Sequence, residues 1–301
     1  MPVGRFAPSP SGSLHFGSLL AALGSYLSIR RQGGLWRLRI EDLDPLRTVP
    51  GSEDELLRTL EAFGLEWDGP LLRQSERFGA YEAALEQLAA QGLLFPCCCS
   101  RKEILASAPH LGEEGPIYPG TCRHGLRAGQ KARAMRLRVD DRVIAFVDKL
   151  YGPYQQNLAL DVGDFVLRRA DKLFGYQLAV VVDDGAIGVT EVVRGSDLLA
   201  STPRQIYLQR LLGLPTPAYF HLPLALDDEG EKLSKRHGCY ALPADPGRIL
   251  CSALTFLGQG PPPELRGAPP AELLAWAVAN FTVAAIDPKN RLAPKFFTTE
   301  G

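Results

Sequence analysis

The 301-residue chain is 46% hydrophobic and 22% charged, the make-up of a globular protein long enough for one large domain or, the better-suited reading, two smaller ones. No apolar run approaches the ~18 residues that a membrane helix needs, and no basic-then-apolar leader precedes the first structured segment, so the expectation is a cytoplasmic protein with no membrane partner. The formal net charge of −1 neither favours nor excludes nucleic acid, because one local basic face can bind phosphates on a near-neutral protein.

In chain order, Gly4 to Ala7 reads as a first buried strand, broken by Pro8, Pro10 and Gly12 before an apolar segment at helical spacing from Gly17 to Ile29. After the Gly33-Gly34 turn, Leu35 to Ile40 alternates apolar and basic residues, which predicts a second strand ending in the acidic cluster Glu41, Asp42 and Asp44. Glu53 to Phe63 and Glu76 to Gln91 read as helices. The alternation predicts an α/β fold, a Rossmann-type nucleotide-binding core with a parallel sheet and right-handed crossovers, whose ligands gather at the carboxyl ends of the strands. The Arg5 to His15 loop and Glu41 fall there.

From Pro96 to about Leu150 cysteines, prolines and glycines interrupt the pattern, and short runs at Ala134 to Val139 and Val143 to Val147 suggest β-ribbon. Residues 96–150 therefore read as an insertion between a first half of the core at 1–95 and a second half at 151–222. Gln177 to Val182 and Gly188 to Arg194 read as runs that rebuild the sheet, before a helix from Thr202 to Leu212 with Ser201 as its N-cap. Residues 223–301 read as a turn-rich loop, a linker-like break at Pro261 to Pro263 and a short helical C-terminal region.

Three constellations carry chemistry. Pro8 to Ser18 is a small-residue loop running from a strand into a helix, able to bring backbone N–H groups to phosphates with His15 donating to developing charge; it reads equally as a Ser/Gly turn capping a helix. Glu231 to Arg236 is a cationic segment after a flexible turn, a loop able to close over a triphosphate or an ordinary solvated turn. Six cysteines, three of them adjacent at Cys97, Cys98 and Cys99, do not form the spaced framework of a secreted disulfide protein; with Cys122 downstream, a tetrahedral zinc site and free thiols in a reducing compartment both remain open.

Together and in this order, His15-Phe16-Gly17-Ser18 and Lys232-Leu233-Ser234-Lys235-Arg236 resemble the HIGH and KMSKS signatures of class I aminoacyl-tRNA synthetases. The strings Arg5 to Gly12, Arg39 to Asp44, Gly175 to Asp184 and Val192 to Asp197 narrow the resemblance to the glutamyl and glutaminyl branch, over about Val3 to Tyr240. The resemblance implies His15 and Lys235 as catalytic residues and an ATP site of His15, Gly17, Lys232, Ser234 and Lys235. It implies a glutamate site of Arg5, Ala7, Ser9, Glu41, Tyr176 and Arg194. A substrate with two carboxylates and an ammonium needs fixed charges: Arg5 and Arg194 suit the carboxylates and Glu41 the ammonium, with the assignment of arginine to carboxylate open.

Cys97, Cys99, Tyr118 and Cys122 resemble the zinc-binding insertion of the glutamyl-queuosine tRNA(Asp) synthetases, a Cys-x-Cys pair followed by Tyr-x-x-x-Cys. That implies one structural Zn²⁺, with Cys98 as a rival ligand and Cys239 and Cys251 outside the site. Only roughly 60 residues follow Arg236, which implies no anticodon-binding domain. The implied activity is that of a monomeric ligase: with ATP and Mg²⁺ it activates L-glutamate to glutamyl-adenylate and transfers it to the queuosine base at the wobble position of tRNA(Asp). A discrete glutamyl-tRNA synthetase charging a tRNA 3′ end, an ATP-dependent ligase with a small acceptor and a non-catalytic zinc and RNA-binding paralogue are the competing readings. Arg123, Arg127, Lys131, Arg133, Arg136 and Arg138 give the insertion a positive excess that fits tRNA phosphates or a solvated ribbon.

Overall fold

The computed structural model describes residues 1–112, 115–233, 242 and 245–294. β1 (Val3–Phe6) runs through the Pro/Ser loop into α1 (Phe16–Arg30), and β2 (Leu35–Ile40) returns parallel to β1 with Arg5 opposite Arg37. α1 is apolar nearly all round and buries Leu19, Leu20, Leu23, Leu27 and Ile29, so it is covered on several sides instead of lying on a surface. Gly24 is what lets it press onto the sheet, because a Cβ there would sit 2.5 Å from a methyl of Leu222.

α2 (Ser52–Ala62) opens with Glu53, Asp54 and Glu55, which complement the positive helix end, and β3 (Leu72–Arg73) pairs parallel with β2. α3 (Phe78–Ala90) buries Tyr81, Ala84, Leu85 and Leu88, a helical stripe at spacings of three, one and three.

The inserted region is antiparallel. β4 (Leu94–Cys97) pairs with β7 (Ala134–Leu137), which pairs with β10 (Phe165–Arg168). Between β4 and β7 lie α4 (Arg101–Ser107), started by a Ser100 and Glu103 capping box, and the short β5 (Leu111–Gly112) and β6 (Gly115–Pro116). β8 (Val143–Asp148) and β9 (Gly152–Asn157) form a hairpin leading to α5 (Leu158–Asp161). Strands beyond residue 150, β9 and β10, thus pair with β8 and β7.

α6 (Tyr176–Ala186) occupies the stretch where Gln177 to Val182 reads as sheet. Leu178, Ala179, Val180 and Val181 are all buried, so the run is apolar on every side, and a short fully buried helix cannot be told from a buried strand by periodicity. β11 (Glu191–Gly195), α7 (Thr202–Leu212) and β12 (Ala218–Leu222) complete a parallel unit. Ser201 stands at the N-cap of α7, yet its hydroxyl receives the side chains of Gln177 and Arg204 and makes no cap bond to the helix backbone.

The two sheets, β3-β2-β1 and β11-β12-β8-β9, meet where the Thr190 N–H donates to Val3 O at 2.9 Å, which sets β1 alongside β11. β13 (Ala225–Leu226) and β14 (Arg291–Leu292) pair in parallel. α8 (Pro246–Phe256) and α9 (Pro270–Asn280), separated by the Pro261 to Pro263 break, cover α1: Phe16 meets Phe256 edge-on, and Leu250, Leu254, Leu273 and Leu274 join its core. A second core lies under α3, α6 and α7. Among the described residues no helix is long and apolar enough to cross a membrane.

Candidate active site

Chain order reverses between β1 and β11: β2 departs to one side of β1 and β12 lies on the far side of β11. Strands that part in this way open a crevice beyond their carboxyl ends. A cavity of about 820 Å³ lies there. Its wall contains Arg5, Ala7, Ser9, Glu41, Tyr176 and Arg194, every residue expected to hold glutamate, and His15, Gly17 and Lys232 of the expected nucleotide site. Ser234 and Lys235 lie outside the described residues.

One wall is a charge-balanced cluster. Arg5 donates Nε to both oxygens of Asp184, at 3.2 and 3.3 Å, and Nη1 to Val193 O. The fully buried Arg39 donates Nη1 to Asp184 Oδ1 at 2.5 Å and Nη2 to Glu41 Oε1 at 3.1 Å. Two guanidinium groups therefore face two carboxylates, the condition under which buried charge is tolerable. Burial opposes ionisation of Asp184, but Arg39 and Arg5 outweigh it and hold the group below the usual carboxylate range. At Glu41 burial wins over Arg39 and pushes the carboxyl up. The adjacent Asp183 anchors α6 to α3 by accepting from Gln74, Arg77 and Tyr81.

Arg194 differs. The residue is 5% exposed, and its guanidinium donates to His221 Nε2, Gln205 Oε1, Thr202 Oγ1 and Leu198 O, all neutral acceptors. Among the described residues no carboxylate pairs with it, so it presents an unneutralised cation to the cavity. Tyr176, the first residue of α6, is 36% exposed at the same cavity.

His15 is the N-cap of α1. Its Nδ1 accepts the Ser18 N–H at 3.3 Å, which leaves the proton of the neutral ring on Nε2, 2.9 Å from Ser18 Oγ. Gly17 leaves room for this fold-back: a Cβ there would lie 3.2 Å from the imidazole Cε1 and would push the ring by a few tenths of an ångström. Imidazole and helix N-terminus together favour a phosphate at this end of the cavity. Opposite, Lys232 pairs through Nζ with Asp197, which follows β11 and also lines the cavity.

Away from the cavity, the sulfur atoms of Cys97, Cys99 and Cys122 lie within 4.8 Å of one another. Tyr118 Oη is 3.5 Å from Cys97 Sγ and 4.0 Å from Cys99 Sγ, and it receives the Cys122 N–H at 2.8 Å. Cys98 Sγ is as close to Cys122 Sγ, 3.6 Å, as Cys99 Sγ is. Burial pushes the Cys122 thiol up, but the Cys98 backbone N–H and hydrogen bonds from Tyr118, Cys99 and Cys98 prevail and bring it down to about 7. A compact set of soft sulfur donors with one thiol ready to ionise near neutrality suits Zn²⁺. Of the basic residues in this region, Arg123 is paired with Asp164, Arg136 lies 3.9 Å over the Tyr118 ring and Arg138 stacks on Phe95; Arg127, Lys131 and Arg133 face solvent.

The family of class I tRNA synthetase (E and Q) catalytic domains matches residues 3–243. The chain belongs to this family. Among its relatives, the glutamyl-Q tRNA(Asp) synthetase of Dechloromonas aromatica is 59% identical over 94% of this chain and 95% of its own length. That of Geobacter sulfurreducens is 55% identical over 94% and 93%. Among solved structures, a glutamate tRNA ligase from Elizabethkingia meningosepticum, in complex with its amino acid, superposes with a TM-score of 0.80 at 26% identity, covering 98% of this chain and 68% of that one.

In this class I synthetase chain, reading by motif passes over Arg39, Asp148, Asp184, Asp197 and His221. Arg39 and Asp184 stand inside the motif strings, 145 residues apart, and only folding makes them a pair. Asp148 and His221 carry no local signal, since an isolated Asp at a strand end and an isolated His in a strand are ordinary surface or core residues.

Proposed function

We propose that the chain is a cytoplasmic, monomeric ligase that activates L-glutamate with ATP and transfers it to the queuosine base of tRNA(Asp). The observation that carries the glutamate part is the unneutralised Arg194 in one cavity with the carboxylate Glu41. A zwitterion with an extra carboxylate matches this pair: its side-chain carboxylate supplies the countercharge that Arg194 lacks, and its ammonium donates to the Glu41 carboxylate, which Arg39 already holds from the other side. Arg5 and Ser9 then border the α-carboxylate as it points towards the α1 N-terminus. The acceptor part rests on relatives of matching length that bear the name glutamyl-Q tRNA(Asp) synthetase.

In the first step an α-carboxylate oxygen attacks the α-phosphorus of ATP and pyrophosphate leaves. The His15 imidazole with Ser18 Oγ beside it, and the backbone N–H groups that open α1, stabilise the charge that accumulates on the phosphates. Lys232 and, beyond the described residues, Ser234 and Lys235 complete the nucleotide site. Mg²⁺ bound with ATP supplies further neutralisation. A hydroxyl of the queuosine cyclopentene ring then attacks the activated carbonyl, AMP leaves and an ester remains on the base. Zn²⁺ on Cys97, Cys99, Tyr118 and Cys122 holds the insertion together, and Arg127, Lys131 and Arg133 offer exposed charge to tRNA phosphates.

The test is glutamate-dependent pyrophosphate exchange without tRNA, followed by transfer of labelled glutamate to queuosine-containing and queuosine-free tRNA(Asp). Exchange with queuosine-dependent labelling is expected. Labelling of a 3′ end regardless of queuosine overturns the acceptor, and no exchange with glutamate overturns the activity.

A further inference from the structure

We infer that Asp148 and His221 are positioning residues that orient Arg194 while leaving its charge free for a substrate carboxylate, an inference that rests on the glutamate site proposed above. The three residues come from three neighbouring strands. Arg194 is the register partner of His221 between β11 and β12, and the end of β8 places Asp148 beside β12 through its pairing with Tyr219. The Asp148 and His221 side chains are 0% exposed.

Hydrogen bonding fixes the protonation pattern. Asp148 Oδ2 lies 2.6 Å from His221 Nδ1 and also accepts the His221 backbone N–H at 3.0 Å. Asp148 Oδ1 accepts the N–H groups of Leu150 and Tyr151 at 2.9 and 3.0 Å. A carboxylate with this many donors stays ionised: burial opposes it, yet His221 and the two backbone N–H groups hold it below the usual range. With Nδ1–H donated to Asp148, His221 Nε2 carries the lone pair that receives Arg194 Nε–H at 3.1 Å. Burial, helped by the nearby charges of Arg194 and Arg5, pushes His221 below its ordinary value against the pull of Asp148. The ring is therefore a neutral spacer.

The consequence concerns how the five N–H groups of a guanidinium are spent. Nε–H goes to His221, Nη2 to Thr202 Oγ1 at 2.8 Å and Leu198 O at 3.3 Å, and one Nη1–H to Gln205 Oε1 at 2.8 Å. Gln205 is itself held by Gln177, and Gln177 by Ser201. One Nη1–H remains, with the full positive charge. Had Asp148 touched Arg194 directly, it would have neutralised the cation and competed with an incoming carboxylate. One imidazole between them keeps the orientation and avoids that competition.

The test compares His221→Leu, His221→Gln and Asp148→Asn with the wild-type chain in glutamate-dependent pyrophosphate exchange, with KM for glutamate and for ATP measured separately. His221→Leu removes the acceptor for Arg194 Nε–H and is expected to raise KM for glutamate about tenfold, the loss of one hydrogen bond to a charged group, with KM for ATP changed less than about twofold. His221→Gln, whose amide oxygen reaches the same position, is expected to recover most of the loss. Equal changes in both KM values, no change for glutamate, or a Gln variant as impaired as the Leu variant each overturn the inference. Should the Leu variant not fold, Asp148→Asn decides: a raised KM for glutamate alone supports the relay, and an unchanged one overturns it. A wild-type chain without exchange instead sinks the glutamate reading, which separates the two failures.

Discussion

Arg39 bridges Asp184 and Glu41, donating Nη1 to the first at 2.5 Å and Nη2 to the second at 3.1 Å while fully buried itself. Asp184 is the member on which both guanidinium groups of the cluster depend. Asp184→Ala leaves two guanidinium groups facing Glu41 alone, and the expected cost is roughly 3–5 kcal/mol of stability, read as a fall in Tm. The pH dependence has a definite sign. Asp184 is depressed in the fold, so its stabilisation is complete above the ordinary carboxylate range and is lost as pH falls through its folded value. The variant should therefore show a flatter loss of Tm on acidification than the parent, and an identical acid profile would refute the network.

Glu41 has the opposite sign. Burial raises its carboxyl in the fold, so its ionisation weakens the substrate-free chain as pH climbs past the ordinary carboxylate range. Glu41→Gln removes that penalty and also removes the partner of the glutamate ammonium. Unchanged or higher Tm at neutral pH together with a KM for glutamate raised at least about tenfold is the expected combination, checked by thermal melts and pyrophosphate exchange. A normal KM would place the ammonium elsewhere.

At the nucleotide end, Gly17→Ala should separate stability from activity. Alanine favours a helix over glycine by roughly 0.5–1 kcal/mol, but its Cβ would press on His15 Cε1 at 3.2 Å. The imidazole must shift, and a fall in kcat of about ten- to a hundredfold with Tm kept or raised is expected. Full activity would show that His15 does not act from this position.

The cysteine cluster makes a prediction about metal content. Cys97→Ser and Cys122→Ser, at the buried sulfurs, should abolish bound zinc in purified protein, whereas Cys98→Ser should retain it with Cys99 as ligand. Zinc lost on Cys98→Ser and kept on Cys99→Ser would exchange the two roles, which their equal 3.6 Å approaches to Cys122 make a direct question for analysis by atomic absorption.

Local physics written along the chain determined much of this protein. Alternation in Leu35 to Ile40 specified a strand, and that strand forms at those bounds; the apolar run after the Pro/Ser loop specified α1. These signals are local because hydrophobic period and turn chemistry each act within a few residues. Nine site residues that the fold brings to one cavity were implied instead by the resemblance of the motif strings to a known family. What the chain could not express locally was α6, whose burial on every side erases the helical period. Nor could it express partnership across distance. Arg5 and Arg194 look alike as strand-end arginines, yet one shares Asp184 with Arg39 and the other meets only neutral acceptors. That difference arises from which strands lie side by side, and charge compensation in a buried site is decided by neighbours within a few ångströms, so only the tertiary structure could assign it.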